Sequence, residues 1–180
     1  MAEQQAPVVM MEEIVSLEYT TLATDVGIRF MDCLIEGRII GHKSKQSGLV
    51  YVPPKGYCLM TGSPTTADDE VEVSDHGVVT GFTIIEPIQY PGQEETERYV
   101  QAQVLLDGAS SALGLCRIQD IPFEEVRAGL RVKAVWRPPE DRQQTIVDSW
   151  GGRAISSCIQ HWVPSGEPDA DPASIAKNMY

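Results

Sequence analysis

Two short pieces of the same form, Ser44-Lys45-Gln46-Ser47-Gly48 and Cys58-Leu59-Met60-Thr61-Gly62, flank the run Leu49-Val50-Tyr51-Val52-Pro53-Pro54. Two x-x knuckles separated by a hairpin have the spacing of a zinc ribbon, a small unit that metal normally holds together. Tetrahedral zinc takes thiolate or imidazole ligands at about 2.0–2.3 Å, and serine or threonine hydroxyls stay protonated and bind weakly. Of the four ligand positions, Ser44, Ser47, Cys58 and Thr61, Cys58 alone carries a thiol. The stretch therefore predicts a degenerate ribbon whose outline outlived its metal. Replacement of a lost ligand by His42 would still leave one imidazole and one thiolate, half a site.

Around this ribbon the hydrophobic pattern changes period. Val26, Phe30, Cys33 and Leu34 fall on one helical face, with Asp25 placed as the N-cap and Gly37 as the stop, which predicts one helix of about three turns. Upstream, residues 1–13 mix Gln, Pro and Glu, and Val15, Leu17 and Tyr19 alternate as in an extended arm. Residues 49–54 form a strand that the double proline ends, and 61–70 read as a polar linker in which Asp68-Asp69-Glu70 is solvated.

From about Val71 the chain is almost all strand. Runs of β-branched and aromatic residues at 77–85, 98–107, 112–118, 130–136 and 155–162 are separated by Gly, Pro and acidic clusters. Five strands with one short helical turn at 122–127, between the third and fourth, predict a five-stranded Greek-key barrel of the oligonucleotide/oligosaccharide-binding (OB) type. An immunoglobulin-like sandwich would need about seven strands and ranks second. Residues 89–97 and 138–144 read as exposed loops. Trp136 and Phe82 are expected in the core, Trp150 in a partner-facing turn and His161 at the surface or an interface.

Charge restricts the function classes. The net charge of −12 argues against a nucleic-acid surface, which needs clustered lysine and arginine to release phosphate counterions. Its distribution is uneven: residues 29–55 hold Arg29, Arg38, Lys43, Lys45 and Lys55 against Asp32 and Glu36, whereas 63–109 hold one arginine and ten acids. Such a local basic strip fits a small anionic ligand or a complementary protein. Cys33, Cys58, Cys116 and Cys158 include no C-x-x-C pair and read as buried apolar residues of a cytoplasmic protein. No run approaches the roughly 18 apolar residues of a membrane span, and the start lacks the order of a secretory signal. Nucleophile-elbow, phosphate-loop, H-E-x-x-H and dinucleotide motifs are all missing from the sequence.

The ordered set of segments carries a resemblance. Residues 30–41 at the helix end, the degenerate ribbon, Tyr51-Val52-Pro53-Pro54, residues 77–83, Val104-Leu105-Leu106-Asp107-Gly108, residues 127–136 and the tail 164–170 together resemble the zinc-ribbon/OB-fold proteins associated with thiolases and acyl-CoA metabolism. The match runs from about Tyr19 to Asp171. It implies a mainly β chain with an N-terminal arm and helix (1–37), a rubredoxin-like ribbon (38–66), an OB barrel (67–163) and a C-terminal tail (164–180).

The resemblance also implies a noncatalytic accessory subunit in a hetero-oligomer with a thiolase-fold protein. That partner would be an acyl-CoA thiolase or a retro-aldolase, as in steroid and other lipid side-chain breakdown, and it would hold the nucleophile and base. This chain would help complete the acyl-CoA channel and stabilise the complex. The shared ligand is acyl-CoA, zinc is not expected, and no nucleic acid or membrane is involved. Coenzyme A needs cations near its phosphates and an apolar slot for its pantetheine arm. Arg38, Lys43, Lys45 and Lys55, with Tyr51 beside the prolines, are the candidate residues. Two rivals stand beside this reading: a free-standing acyl-CoA-binding or thioester-hydrolysing protein, and a single-strand nucleic-acid-binding barrel.

Overall fold

The computed structural model describes residues 24–86, 97–142, 155 and 157–178. Residues 1–23, residues 89–96 of the expected 89–97 loop, and Trp150 lie outside the described residues. The first described element is the expected helix, α1 (Asp25–Ile35), which buries Phe30, Met31, Cys33 and Leu34 on the face given by their spacing. Its N-cap is Thr24 rather than Asp25: the Thr24 hydroxyl accepts from the Gly27 N–H at 3.1 Å. Asp25 is already helical, where its charge complements the positive end of the helix dipole.

At the other end Gly37, at φ +84°, closes the helix. The Gly37 N–H reaches the Leu34 carbonyl at 3.0 Å and the Arg38 N–H reaches that of Cys33 at 2.9 Å. This paired arrangement satisfies two orphan carbonyls and needs a residue without a Cβ penalty in the left-handed region.

The chain then enters a three-stranded antiparallel sheet in the order β2-β1-β3, made of β1 (Ile39–Lys43), β2 (Val50–Tyr51) and β3 (Glu70–Val73). The third strand differs from expectation. Residues 70–73, read as linker and barrel start, pair with β1 in the register Ile39↔Val73 to His42↔Glu70. Nor is Asp68-Asp69-Glu70 solvated throughout: Asp68 is exposed, but Asp69 is buried and Glu70 half-buried. Residues Ala67–Asp69 form a 3₁₀ turn in which the Asp69 carboxylate accepts from the Thr66 N–H at 2.8 Å, and Asp69 is buried. Lys45 approaches Asp69 at 3.0 Å, and Glu70 takes a bidentate pair from Arg29 at 2.9 and 3.0 Å. Alternation too short to register in the sequence was decided by these tertiary partners.

The second unit is a closed barrel of β4 (His76–Ile85), β5 (Tyr99–Leu106), β6 (Ala112–Ile118), β7 (Arg131–Trp136) and β8 (Ile159–Pro164), in the order β4-β5-β6-β8-β7. Neighbours are antiparallel except β6 and β8, which are parallel. This is the expected OB-type barrel, with a 3₁₀ turn at Phe123–Glu125 between its third and fourth strands. Inside it lie Val79, Val100, Val104, Leu113, Val132 and Trp162, all at most 2% exposed. The last strand starts later than predicted, at Ile159, and ends in Pro164, which a strand terminus tolerates.

Two aromatic expectations divide. Trp136 packs against the core and its indole N–H donates to Asp75 at 3.0 Å, but Phe82 is 41% exposed. Phe82 follows a bulge between Val79 and Gly81, where the register with β5 shifts and the alternation read from the sequence breaks.

Ribbon, helix and barrel share one continuous core. At the joint the Val50 N–H donates to the Ser110 hydroxyl at 3.1 Å, the Ser110 N–H returns to the Val50 carbonyl at 2.8 Å, and the Val52 N–H donates to the Ser111 hydroxyl at 3.0 Å. Arg142 donates to the Ile35 carbonyl at 3.2 Å, setting a cation on the negative end of α1. A short helix, α2 (Pro172–Asn178), follows a tail tied down by Arg127 on Asp169 at 2.6 and 2.8 Å and by Arg131 on Glu167 at 2.8 Å. No helix of the described residues is long and apolar enough to cross a membrane.

Candidate functional site

The two knuckles fold alike. In the first, the Ser44 N–H donates to the Leu49 carbonyl and the Gly48 N–H to the Ser44 carbonyl, each at 2.8 Å. In the second, the Cys58 N–H donates to the Ser63 carbonyl and the Gly62 N–H to the Cys58 carbonyl, again at 2.8 Å. The glycine closing each has nearly the same backbone angle, φ +73° at Gly48 and +69° at Gly62. The equivalence read from spacing is thus a structural one.

A side chain of the first knuckle and one of the strand that follows it meet at the Cys58 sulfur. Ser47 Oγ lies 3.4 Å from Cys58 Sγ and Tyr51 from the intervening strand places its hydroxyl at 3.5 Å, while the Ser44 hydroxyl accepts from the Ser47 N–H at 3.2 Å and the Thr61 hydroxyl lies 2.7 Å from that of Ser63. Hydrogen bonds from Ser44 first, then from Ser47, Thr61 and Tyr51, hold the Cys58 thiol down to about 5. Ser44, Tyr51 and Cys58 are buried, Ser47 is half-buried and Thr61 is exposed. One thiol among neutral hydroxyls is not a zinc donor set, because the oxygens keep their protons and offer no charge to the cation. The hydroxyls instead cross-link the knuckles through the sulfur.

His42 takes no part in that cross-link. Its Nδ1 lies 3.0 Å from the Thr65 hydroxyl in a buried setting, and burial pushes the imidazole below its ordinary value, favouring the neutral ring. Among the described residues no three His, Cys, Asp or Glu side chains are grouped to hold a metal ion.

The five residues expected at coenzyme A are not gathered into one place. Tyr51 is buried with its hydroxyl on Cys58 and does not line a slot. Arg38 sits at the helix-proximal end of β1, in a close ion pair with Glu36 and 3.7 Å from Glu72. Lys43 ends the same strand, roughly 15 Å away at the usual strand rise. Lys45 is turned to Asp69, and Lys55 is exposed beyond the prolines. Lys43 and Lys55 form no ion pair among the described residues. Lys43 also lines a cleft of about 410 Å³ between ribbon, barrel and tail, with Val50, Ser110, Arg131 and Ile175. There Arg131 is engaged by Asp107 at 2.5 and 2.7 Å and by Glu167.

Sequence reasoning missed two parts of this arrangement. The Ser110-Ser111 clamp lies about 60 residues from its partners Val50 and Val52, and no local pattern links them. The Tyr51 contact was accessible in principle, since the tyrosine lies on the strand between the two knuckles and its hydroxyl can reach a thiol at the second.

Comparison with known proteins bears on the barrel. Residues 70–137 match the family model of the ChsH2 C-terminal OB-fold domain, so the resemblance read from the sequence holds there. No curated protein matches the chain. Among solved structures, a protein of unknown function from the DUF35 family of Sulfolobus solfataricus is 24% identical, with a TM-score of 0.50 over 62% of this chain and 78% of the other. A chain of the Ltp2-ChsH2(DUF35) aldolase is 17% identical, with a TM-score of 0.54 over 81% of this chain and 99% of the other. These two likenesses show a shared fold.

Proposed function

From a barrel that matches the ChsH2 C-terminal OB-fold domain, we propose that this chain is a noncatalytic accessory subunit of a thiolase-fold enzyme acting on acyl-CoA, either a thiolase or a retro-aldolase. That match is the observation that carries the reading. The fold shared with a chain of the Ltp2-ChsH2(DUF35) aldolase supports it, since that likeness covers 81% of this chain. The titratable groups of the ribbon also support it: Cys58 and His42 are engaged with hydroxyls that hold the fold. In this reading the thiolase-fold partner supplies nucleophile and base, and the present chain stabilises it and completes its acyl-CoA channel, with no zinc in the ribbon. The substrate would be an acyl-CoA of the steroid or lipid side-chain kind.

Of the five cations and aromatics expected at the ligand, Lys43 combines an ammonium group free of ion pairs among the described residues with a place in a cleft. We assign it to an anionic group of coenzyme A.

Co-expression with candidate thiolase-fold proteins, followed by size-exclusion chromatography and mass measurement, tests the reading. A stable heteromer that cleaves acyl-CoA, with neither activity nor assembly in this chain alone, is the expected result. A chain that stays alone with every candidate and hydrolyses thioesters by itself would favour the free-standing alternative.

A further inference from the structure

The second knuckle exposes what a small ribbon normally hides. Tyr57, Leu59 and Met60 are 48%, 56% and 57% exposed, three large apolar side chains within four residues. They are not on a loose tip. The segment is closed by the Cys58–Ser63 and Gly62–Cys58 backbone bonds, by the Thr65 N–H on the Gly56 carbonyl at 2.9 Å and by the Thr61 and Ser63 hydroxyls 2.7 Å apart. Its base is anchored by the buried Cys58 sulfur. An apolar surface held this way loses little conformational entropy when it is covered, which is what interface anchors require.

Charge narrows the choice of partner. Between Glu36 and Asp68 the chain has no acidic residue, although the whole carries 26. The matching x-x pair of the first knuckle is Lys45-Gln46, with Lys45 75% exposed, and Lys55 lies two positions before Tyr57, the first of the apolar trio. A second copy docked symmetrically would set these lysines against one another. An anionic bilayer would be repelled by the rest of a chain whose net charge is −12.

We infer that the tip of the second knuckle, Tyr57, Leu59 and Met60 with Lys55 and Lys45 beside it, is the surface that seats this chain on its thiolase-fold partner. The complementary site on that partner is an apolar socket with a carboxylate rim. This rests on the subunit reading above and adds which face docks.

The test uses the full chain and the thiolase-fold subunit retained in the co-expression experiment, with affinity measured by calorimetry. The double variant L59D/M60D should bind at least about 30-fold more weakly, the loss expected when anchor residues of an interface are replaced. Its melting temperature should stay unchanged, because both side chains are exposed. K55E should weaken binding less and reduce its salt sensitivity, whereas F82D, in the other exposed apolar patch, should leave affinity within about threefold. Wild-type affinity in a folded L59D/M60D, or a larger loss in F82D, overturns the docking face while leaving the subunit reading intact. If no thiolase-fold subunit binds the unsubstituted chain, both fall. Self-association of the purified chain, or binding to phosphatidylserine vesicles, that L59D/M60D abolishes would assign the knuckle to those occupants and overturn the proposal.

Discussion

A thiol ringed by hydroxyls and a thiol in an apolar core should titrate at opposite extremes, and Cys58 and Cys116 place both cases in one chain. Burial pushes Cys116 up to about 12, whereas the hydroxyls of Ser44, Ser47, Thr61 and Tyr51 hold Cys58 down to about 5. For Cys58 the folded value lies below the ordinary 9.0. Its stabilising contribution is therefore fully present above the ordinary value and is lost as pH falls towards and through about 5. Titrating the thiolate ultraviolet absorbance should show a step near pH 5 that is missing from C58S, and C58S should flatten the dependence of unfolding free energy on pH across that window. Thiolate appearing solely in the range of an ordinary cysteine would contradict the cluster. Which residues occupy the ligand positions was plain from the sequence, and so was their misfit to zinc. That Ser47 and Tyr51 would meet at the Cys58 sulfur was not, because that contact needs the hairpin to bring residues 47, 51 and 58 together.

Among the elements, β4 sets the tightest constraint. A Cβ on Gly77 would lie 2.5 Å from the Leu105 carbonyl oxygen and 2.9 Å from a Val104 methyl, and the backbone oxygen cannot swing aside. Gly77→Ala should therefore cost about 1–3 kcal/mol or more by overpacking. Gly81→Ala, four residues on, would meet nothing nearer than the flexible Gln103 side chain at 3.9 Å and should be close to neutral. Urea unfolding of the two variants checks the contrast, and equal losses would mean that the β4–β5 approach is looser than described. Both glycines are on the same predicted strand, and no local pattern separates them. What the period did reveal was the helix face of Phe30, Cys33 and Leu34 and the five barrel strands, because a face buried along its whole length imprints its repeat. It failed at Phe82, just past a bulge, and at β3, whose four residues are too few to show a repeat.

Across the whole molecule, the ribbon and barrel are one cooperative body or two, and the Ser110-Ser111 clamp tells which. Replacing both serines by alanine removes the partners of the Val50 and Val52 N–H groups in a largely buried seam, which should cost about 1–3 kcal/mol for each group left unsatisfied. Because the core is continuous, the variant should still unfold in one transition at a lower temperature, measurable by calorimetry; two separate transitions would show independent units. The sequence by itself determined the helix, the barrel strands and the two equivalent knuckles, since each depends on residue types at short fixed spacings. The tertiary structure decided what links the two knuckles, how the third strand of their sheet pairs, which cations are neutralised and which apolar side chains stay exposed. Those outcomes depend on contacts between residues far apart in the chain, and spacing along the chain says nothing about distance across the fold.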